Sequence, residues 1–264
     1  MMNLIKLISL AIVSHALNAC QFNAFPFNKG VRGNGVVVTE QRTLTESYNA
    51  IDVSRGIDVY LTQNDTPSIA VQADENIQEL IITKVENGTL KIYLDKSSHH
   101  VASKKVLVNF KTVESISASS GSYVLSTNTL KIPSIDISTS SGSQMELSLD
   151  TERINSSSSS GSDLTLEGIS KNFVGNSSSG SQIDASKLIT EYCDTKASSG
   201  SNLSVNCLEE FNGNASSGAH ITNHESSIKT VVKSSSGGHI DTKIKNLWNL
   251  IIQNCMLVAL LWFN

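Results

Sequence analysis

The sequence predicts an all-β chain wound as a parallel β-solenoid (β-helix) of about seven coils of 18–21 residues, preceded by a less regular β region. Ser-Ser-Gly recurs with its glycine at Gly121, Gly142, Gly161, Gly180, Gly200, Gly218 and Gly237, at intervals of 21, 19, 19, 20, 18 and 19 residues. A period near 19 to 20, held seven times, marks a stacked repeat. Three positions after each glycine stands an apolar residue: Val124, Met145, Leu164, Ile183, Leu203, Ile221 and Ile240. Two positions after it stands a polar or amphipathic one: Tyr123, Gln144, Asp163, Gln182, Asn202, His220 and His239. That alternation belongs to a strand with one face buried. Composition agrees, because 35 of the 43 serines fall between positions 111 and 240.

Each coil needs a corner, an inner column and an outer column. Glycine suits the corner because it adopts φ > 0 at little cost. Three positions before it the residue is always small (Ala118, Thr139, Ser158, Ser177, Ala197, Ala215 and Ser234), which lets the chain bend tightly while hydroxyls bond along the stack. Coils pairing about 4.8 Å apart place like residues over like, so seven coils span roughly 34 Å. Each buried apolar side chain contributes roughly 1.5–3 kcal/mol, so one coil is weak and the array is cooperative. A helical reading fails on the density of Ser, Thr, Gly and Asn. A flexible serine linker would not keep an apolar residue in phase seven times.

Before the array, residues 1–19 read as an export signal. Lys6 precedes the short apolar run Leu7–Val13, which is too short to span a bilayer, and Leu17-Asn18-Ala19-Cys20 follows. The layout resembles a bacterial lipoprotein signal, which implies lipidation at Cys20 and, with Gln21 next, an outer-membrane or cell-surface destination in a Gram-negative bacterium. An ordinary secretory signal is the alternative. Residues 20–34 read as a tether. In 35–110 short alternating runs (Ile57, Val59, Leu61; Leu90, Ile92, Leu94; Val106, Val108, Phe110) read as strands, with a hairpin turn at Asn87-Gly88. Ala73–Ile82 reads as a short helical or loop crossing. The region is expected to supply wider coils or a small sheet covering the open edge of the solenoid, which spans 111–246. The apolar tail, 247–264, reads as a cap or an altered terminus, its longest apolar run of nine residues being too short for a membrane span.

The cysteines give no scaffold. With Cys20 acylated, Cys193, Cys207 and Cys255 remain, an odd number without ligand spacing. Cys193 and Cys207 are expected as small buried hydrophobes, with a disulfide between them the lesser alternative.

Ser54-Arg55-Gly56-Ile57-Asp58-Val59-Tyr60-Leu61, the Leu90–Leu94 strand after Asn87-Gly88, and the Ser-Ser-Gly-Ser corners resemble the putative auto-transporter adhesin, head GIN domain family of Bacteroidetes envelope proteins. Gly56-Ile57-Asp58 stands where the family name implies Gly-Ile-Asn. The resemblance covers about residues 36–245. It implies a right-handed solenoid exported to the cell envelope, with adhesion suggested by name, and brings no catalytic residues. The chain lacks the alternating ten-residue strands of a membrane barrel and is not expected to be an autotransporter itself.

Chemistry is sparse. A net charge of -4, a pI near 5.9 and no Lys/Arg cluster exclude non-specific nucleic-acid binding. His220 and His239 fall at one outward position of adjacent coils, close enough to share a metal, but lack a third ligand column and read as solvated residues. Asp163 and Asp241 lie in different columns. His99-His100 reads as exposed loop, and no serine sits in a Gly-x-Ser-x-Gly elbow. No catalytic, cofactor or metal residues are expected. The sequence reads as a non-catalytic envelope protein presenting a rigid Ser/Thr/Asn-rich surface, with a glycan, a matrix polymer or another envelope protein as partner and the membrane reached through Cys20. Two alternatives are a purely structural scaffold and a polysaccharide lyase or hydrolase. The near-constant coil length leaves no room for the long loops that build such an enzyme's groove.

Overall fold

The computed structural model describes residues 30–44 and 46–243. The signal segment, Cys20 and the 247–264 tail lie outside the described residues. Gln144–Ser158, Asp163–Ser177, Gln182–Ala197 and Asn202–Ala215 each run through nearly a whole coil and pair in parallel with the next. Met145 lies opposite Leu164, Leu164 opposite Ile183, Ile183 opposite Leu203, Leu203 opposite Ile221, and Ile221 opposite Ile240. Val124 stands over Met145 at the other end. All are buried except Ile240, which is half-buried in the last described coil.

The corners follow a single geometry. In Ser119-Ser120-Gly121-Ser122, both Ser120 (φ 55°) and Gly121 (φ 69°) are left-handed, and the Ser122 N–H donates to the Ser119 carbonyl at 3.3 Å. This is a type I′ turn, which requires φ > 0 at both central residues. The sequence reading assigned the left-handed conformation to glycine alone, yet the serine before it shares it at all seven corners. An L-residue pays roughly 1–2 kcal/mol there. The stack holds it: the Gly121 N–H donates to the Ser141 carbonyl of the next coil at 3.1 Å, and the same bond recurs from Gly142 to Ser160 and from Gly161 to Ser179. A Cβ on Gly121 or Gly161 would meet nothing within 4 Å, so these glycines are needed for φ and not for room.

The residue after the glycine turns inward. Ser122, Ser143, Ser162, Ser181 and Ser201 are buried. The hydroxyl of Ser162 donates to the Ser159 carbonyl at 2.7 Å, and that of Ser181 to the Ser158 carbonyl of the preceding coil at 2.8 Å. Thr139, Ser158 and Ser162 exchange further hydroxyl bonds of 2.9–3.2 Å, so this buried polar seam is paired internally. The last two corners carry Ala219 and Gly238 in that position and lack the seam.

The far wall packs by volume exchange. Ile154, Phe173, Cys193 and Phe211 form one inner column, and Ser156, Gly175, Thr195 and Gly213 form the column two residues on. Each phenylalanine is paired with a glycine, and a Cβ on Gly175 or Gly213 would strike the ring of Phe173 or Phe211. Coils with smaller Ile154 or Cys193 carry serine or threonine instead. Constant interior volume is kept, as close packing demands.

Residues 31–110 form two further rungs and a set of antiparallel strands beside them. Ala50–Ser54 and Asp58–Gln63 make one additional rung, and Thr89–Leu94 with Lys104–Phe110 make another outside it. Chain order therefore departs from stacking order: the 89–110 rung lies outside the earlier 50–63 rung, which alone abuts the array. Val37–Arg42 and Ser68–Asp74 pair antiparallel and pass onto Lys104–Phe110, while Ile81–Glu86 folds back on Thr89–Leu94 through Asn87-Gly88. Glu75–Leu80, within the segment read as a crossing, is a 3-10 helix. The predicted tether is partly docked, since Val31–Arg32 pairs with Ser98–His99.

Candidate functional site

Strand alternation and rung register create two solvent-facing polar walls. On the first, Lys105, Asp58, Tyr123, Gln144, Asp163, Gln182, Asn202, His220 and His239 stand in one outward column across nine rungs. On the second, Ser138, Ser157, Asn176, Lys196, Asn214 and Lys233 form an exposed column. A shallow trough of about 280 Å³ runs beside Ser157, Asn176, Lys196 and Asn214. Donors and acceptors repeat at the rung spacing, about 4.8 Å. Among the described residues, no corner of the array opens into a loop that would wall a deep groove.

At the end of the first wall the structure departs from the sequence reading. His220 and His239 stack with ring centroids 5.2 Å apart and planes at 18°. Asp241 supplies the third group that the sequence reading lacked. Its carboxylate lies 3.3 Å from His220 Nε2 and 2.9 Å from His239 Nε2. The signal was present, because residues two apart on a strand share a face and Asp241 follows His239 by two. Asp163, by contrast, stands in the middle of the wall and joins no cluster. His99 and His100 are exposed as expected, although His99 belongs to the short strand paired with Val31–Arg32 and His100 is left-handed.

Cys193 and Cys207 are free thiols, buried in the wall of the solenoid. Burial pushes the Cys193 thiol well up, and its sulfur lies 2.8 Å from the Thr190 hydroxyl. They fill the interior and present no reactive sulfur to solvent.

Two features of the N-terminal region went unread in the sequence. Asp74 is fully buried, and its carboxylate accepts N–H bonds from Gly35 at 2.8 Å, Ala102 at 2.9 Å and Ser103 at 3.0 Å. Burial works to raise its pKa, but the backbone donors Gly35, Ser103 and Ala102 outweigh it and hold the group below the ordinary carboxylate value. Asp74 thus clamps the entry of the chain to the 100–103 turn. At the other end of the same strands lies a cavity of about 470 Å³, walled by Leu44, Tyr48, Ile69 and Phe110 with Arg42 beside them. Tyr48 Oη and Arg42 Nε are buried there without partners among the described residues. Burial raises the Tyr48 pKa to about 12, so the phenol stays neutral. No helix among the described residues is long and apolar enough to cross a membrane.

Nine rungs thus stack into a solenoid with two polar walls and an interior that is apolar apart from the buried serine and threonine seam. The profile of the putative auto-transporter adhesin, head GIN domain family matches residues 47–226, and the chain belongs to that family. Its fold is shared with a putative adhesin from Bacteroides fragilis (TM-score 0.72, 20% identity, 81% of this chain and 100% of that one). A putative lipid binding protein from Parabacteroides distasonis is similar as well (TM-score 0.68, 18% identity, 81% and 99%). So is a putative adhesin from the same species (TM-score 0.66, 18% identity, 81% and 99%). No curated protein matches the sequence. The family's description as an auto-transporter adhesin head sets this chain among exported or cell-surface proteins.

Proposed function

We propose that the protein is a non-catalytic adhesin-like head, lipid-anchored at Cys20 to the outer membrane, whose second polar wall binds an extended polymer such as a glycan or a matrix chain. The observation carrying this reading is the exposed column Ser157, Asn176, Lys196 and Asn214, in register beside one trough. A flat hydroxyl, amide and ammonium ladder offers many weak bonds and little burial, which favours multivalent capture of a repeating polymer over tight binding of one small molecule. A glycan and matrix-protein array probed with multimerised protein tests it: binding is expected for the wild type and lost in Asn176→Ala/Lys196→Ala/Asn214→Ala. Retention of every bound ligand by that triple variant would remove the wall from the account. Fatty-acid labelling that is lost in Cys20→Ser tests the anchor.

A second reading rests on the cavity by Tyr48. Its largely apolar walls suit the tail of a fatty-acid-like amphiphile, in keeping with the description of the Parabacteroides distasonis neighbour, and Lys111 at the rim offers the cation for an acidic head, since Arg42 Nη2 is held by Glu40 and Gln78. Displacement of a fluorescent fatty acid, abolished by Ile69→Trp, is the expected result; no saturable binding of the probe would reject it.

A further inference from the structure

We propose that His220, His239 and Asp241 form a site for a divalent transition cation of the zinc, nickel or copper type, and that the bound ion clips the last described coil to the one before it. The three side chains come from two coils. Parallel pairing places His239 directly beside His220, and strand alternation returns Asp241 to the same outward face. One ligand atom from each residue lies within 4.8 Å of the others. The Asp241 carboxylate is already turned to both Nε2 atoms, at 3.3 Å and 2.9 Å. Two donors on one tetrahedral zinc, each about 2.05 Å from the ion, are roughly 3.3 Å apart. Small rotations of two solvent-facing rings suffice to reach that spacing. Thr222 Oγ1, 3.1 Å from His220 Nε2, orients the ring before the ion arrives.

The donor set selects the class of ion. Two imidazoles and one carboxylate suit zinc, copper and nickel, whereas calcium and magnesium demand more oxygen ligands. The remaining coordination positions face solvent and are filled by water. This placement gives the site a structural role. In the last described coil Lys229–Ser234 is exposed along its whole length and Ile240 is half-buried, so apolar contacts among the described residues hold this coil weakly. Such ends open first. An ion whose ligands come together only when the two coils are paired stabilises that pairing by mass action.

The test uses the full chain carrying Cys20→Ser and Cys255→Ser, so that neither terminal thiol competes for the ion, stripped with chelator and titrated with zinc at pH 7.5 by calorimetry. One ion per chain is expected, with calcium giving no saturable signal. His220→Ala, His239→Ala and Asp241→Asn should each weaken zinc at least ~10-fold, while His99→Ala/His100→Ala and His224→Ala leave it unchanged. At ten times the dissociation constant, hydrogen exchange of the His239–Thr242 amides should slow ~10-fold. No saturable binding up to millimolar zinc, or binding that persists unaltered in all three ligand variants, would overturn the site. Binding that disappears in the variants while exchange at 239–242 never responds would overturn the clip.

Discussion

The Ser-Ser-Gly array and the region before it build the same rungs by different rules. From Gly121 to Gly218 the chain climbs one rung per repeat, every corner has one geometry, and each rung's partner is its neighbour in sequence. In residues 31–110 the outermost rung is made after the inner one, antiparallel strands cover the flank, and a single buried carboxylate secures the entry. The array is a one-dimensional system in which stability is a sum over rungs and their interfaces. The N-terminal region depends on a few unique, long-range contacts, and it also contains the apolar cavity beside Tyr48. A repeated local rule yields a uniform wall; irregularity is what leaves room for a pocket.

That contrast can be broken most severely from within the array. Leu164→Asp places an unpaired carboxylate in a stack of hydrocarbon and is expected to cost more than about 4 kcal/mol, melting the coils cooperatively, whereas Asp163→Ala, one residue away and exposed, changes stability by under ~0.5 kcal/mol. Thermal and urea unfolding followed by circular dichroism separate the two. Equal, small losses would dismantle the register.

Next in size is the single clamp of the N-terminal region. Asp74→Asn removes a charge that accepts three backbone bonds and should cost about 3 kcal/mol. The pH sign follows from the depressed pKa. Asp74 contributes its full stability above its unfolded value near 4, and that contribution fades as the pH falls through the lower folded value. The wild type is therefore expected to lose stability below about pH 4 more steeply than Asp74→Asn. Parallel acid titrations of the two by fluorescence would contradict this assignment.

Smaller effects distinguish the two kinds of glycine. Gly168 has φ 111° and sits so close to the Leu149 carbonyl that a Cβ would collide with it, whereas Gly161 has φ 65° and open space around its Cβ position. Gly168→Ala should cost about 2 kcal/mol and Gly161→Ala about 1 kcal/mol, compared in urea midpoints. Smallest is a gain: Ser160, left-handed and exposed, is replaced by an asparagine that tolerates αL better, and Ser160→Asn should stabilise by ~0.5 kcal/mol.

Much of the array was legible because its determinants are local and repeated. A glycine every 18–21 residues and an apolar residue three places later specify where the chain turns and which face it buries, and seven copies average out the noise of any one. The conformation of Ser160 and its equivalents was hidden, since serine has no intrinsic preference for φ > 0; the interchain-like bonds of the stack impose it. Gly168 was hidden because its bend occurs once with glycine. His220 and His239 are legible as neighbours from their shared column, whereas Asp241 stands outside that column and joins them through the strand face it shares with His239. Asp74 and the walls around Tyr48 had no sequence signal at all, their partners lying 28 or more residues away for Asp74 and in three separate segments for the cavity.

What the amino-acid sequence determined by itself is the all-β coil, its length, its corners and its inner column, because period-two alternation and a periodic glycine act over a few residues at a time. What only the tertiary structure decided is the order in which the first rungs stack, the burial of Asp74, the cavity beside Tyr48 and the meeting of two imidazoles with a carboxylate. Those depend on which distant segments come to lie side by side, and loop closure between distant segments costs an entropy that varies little with length, so no local pattern records the choice.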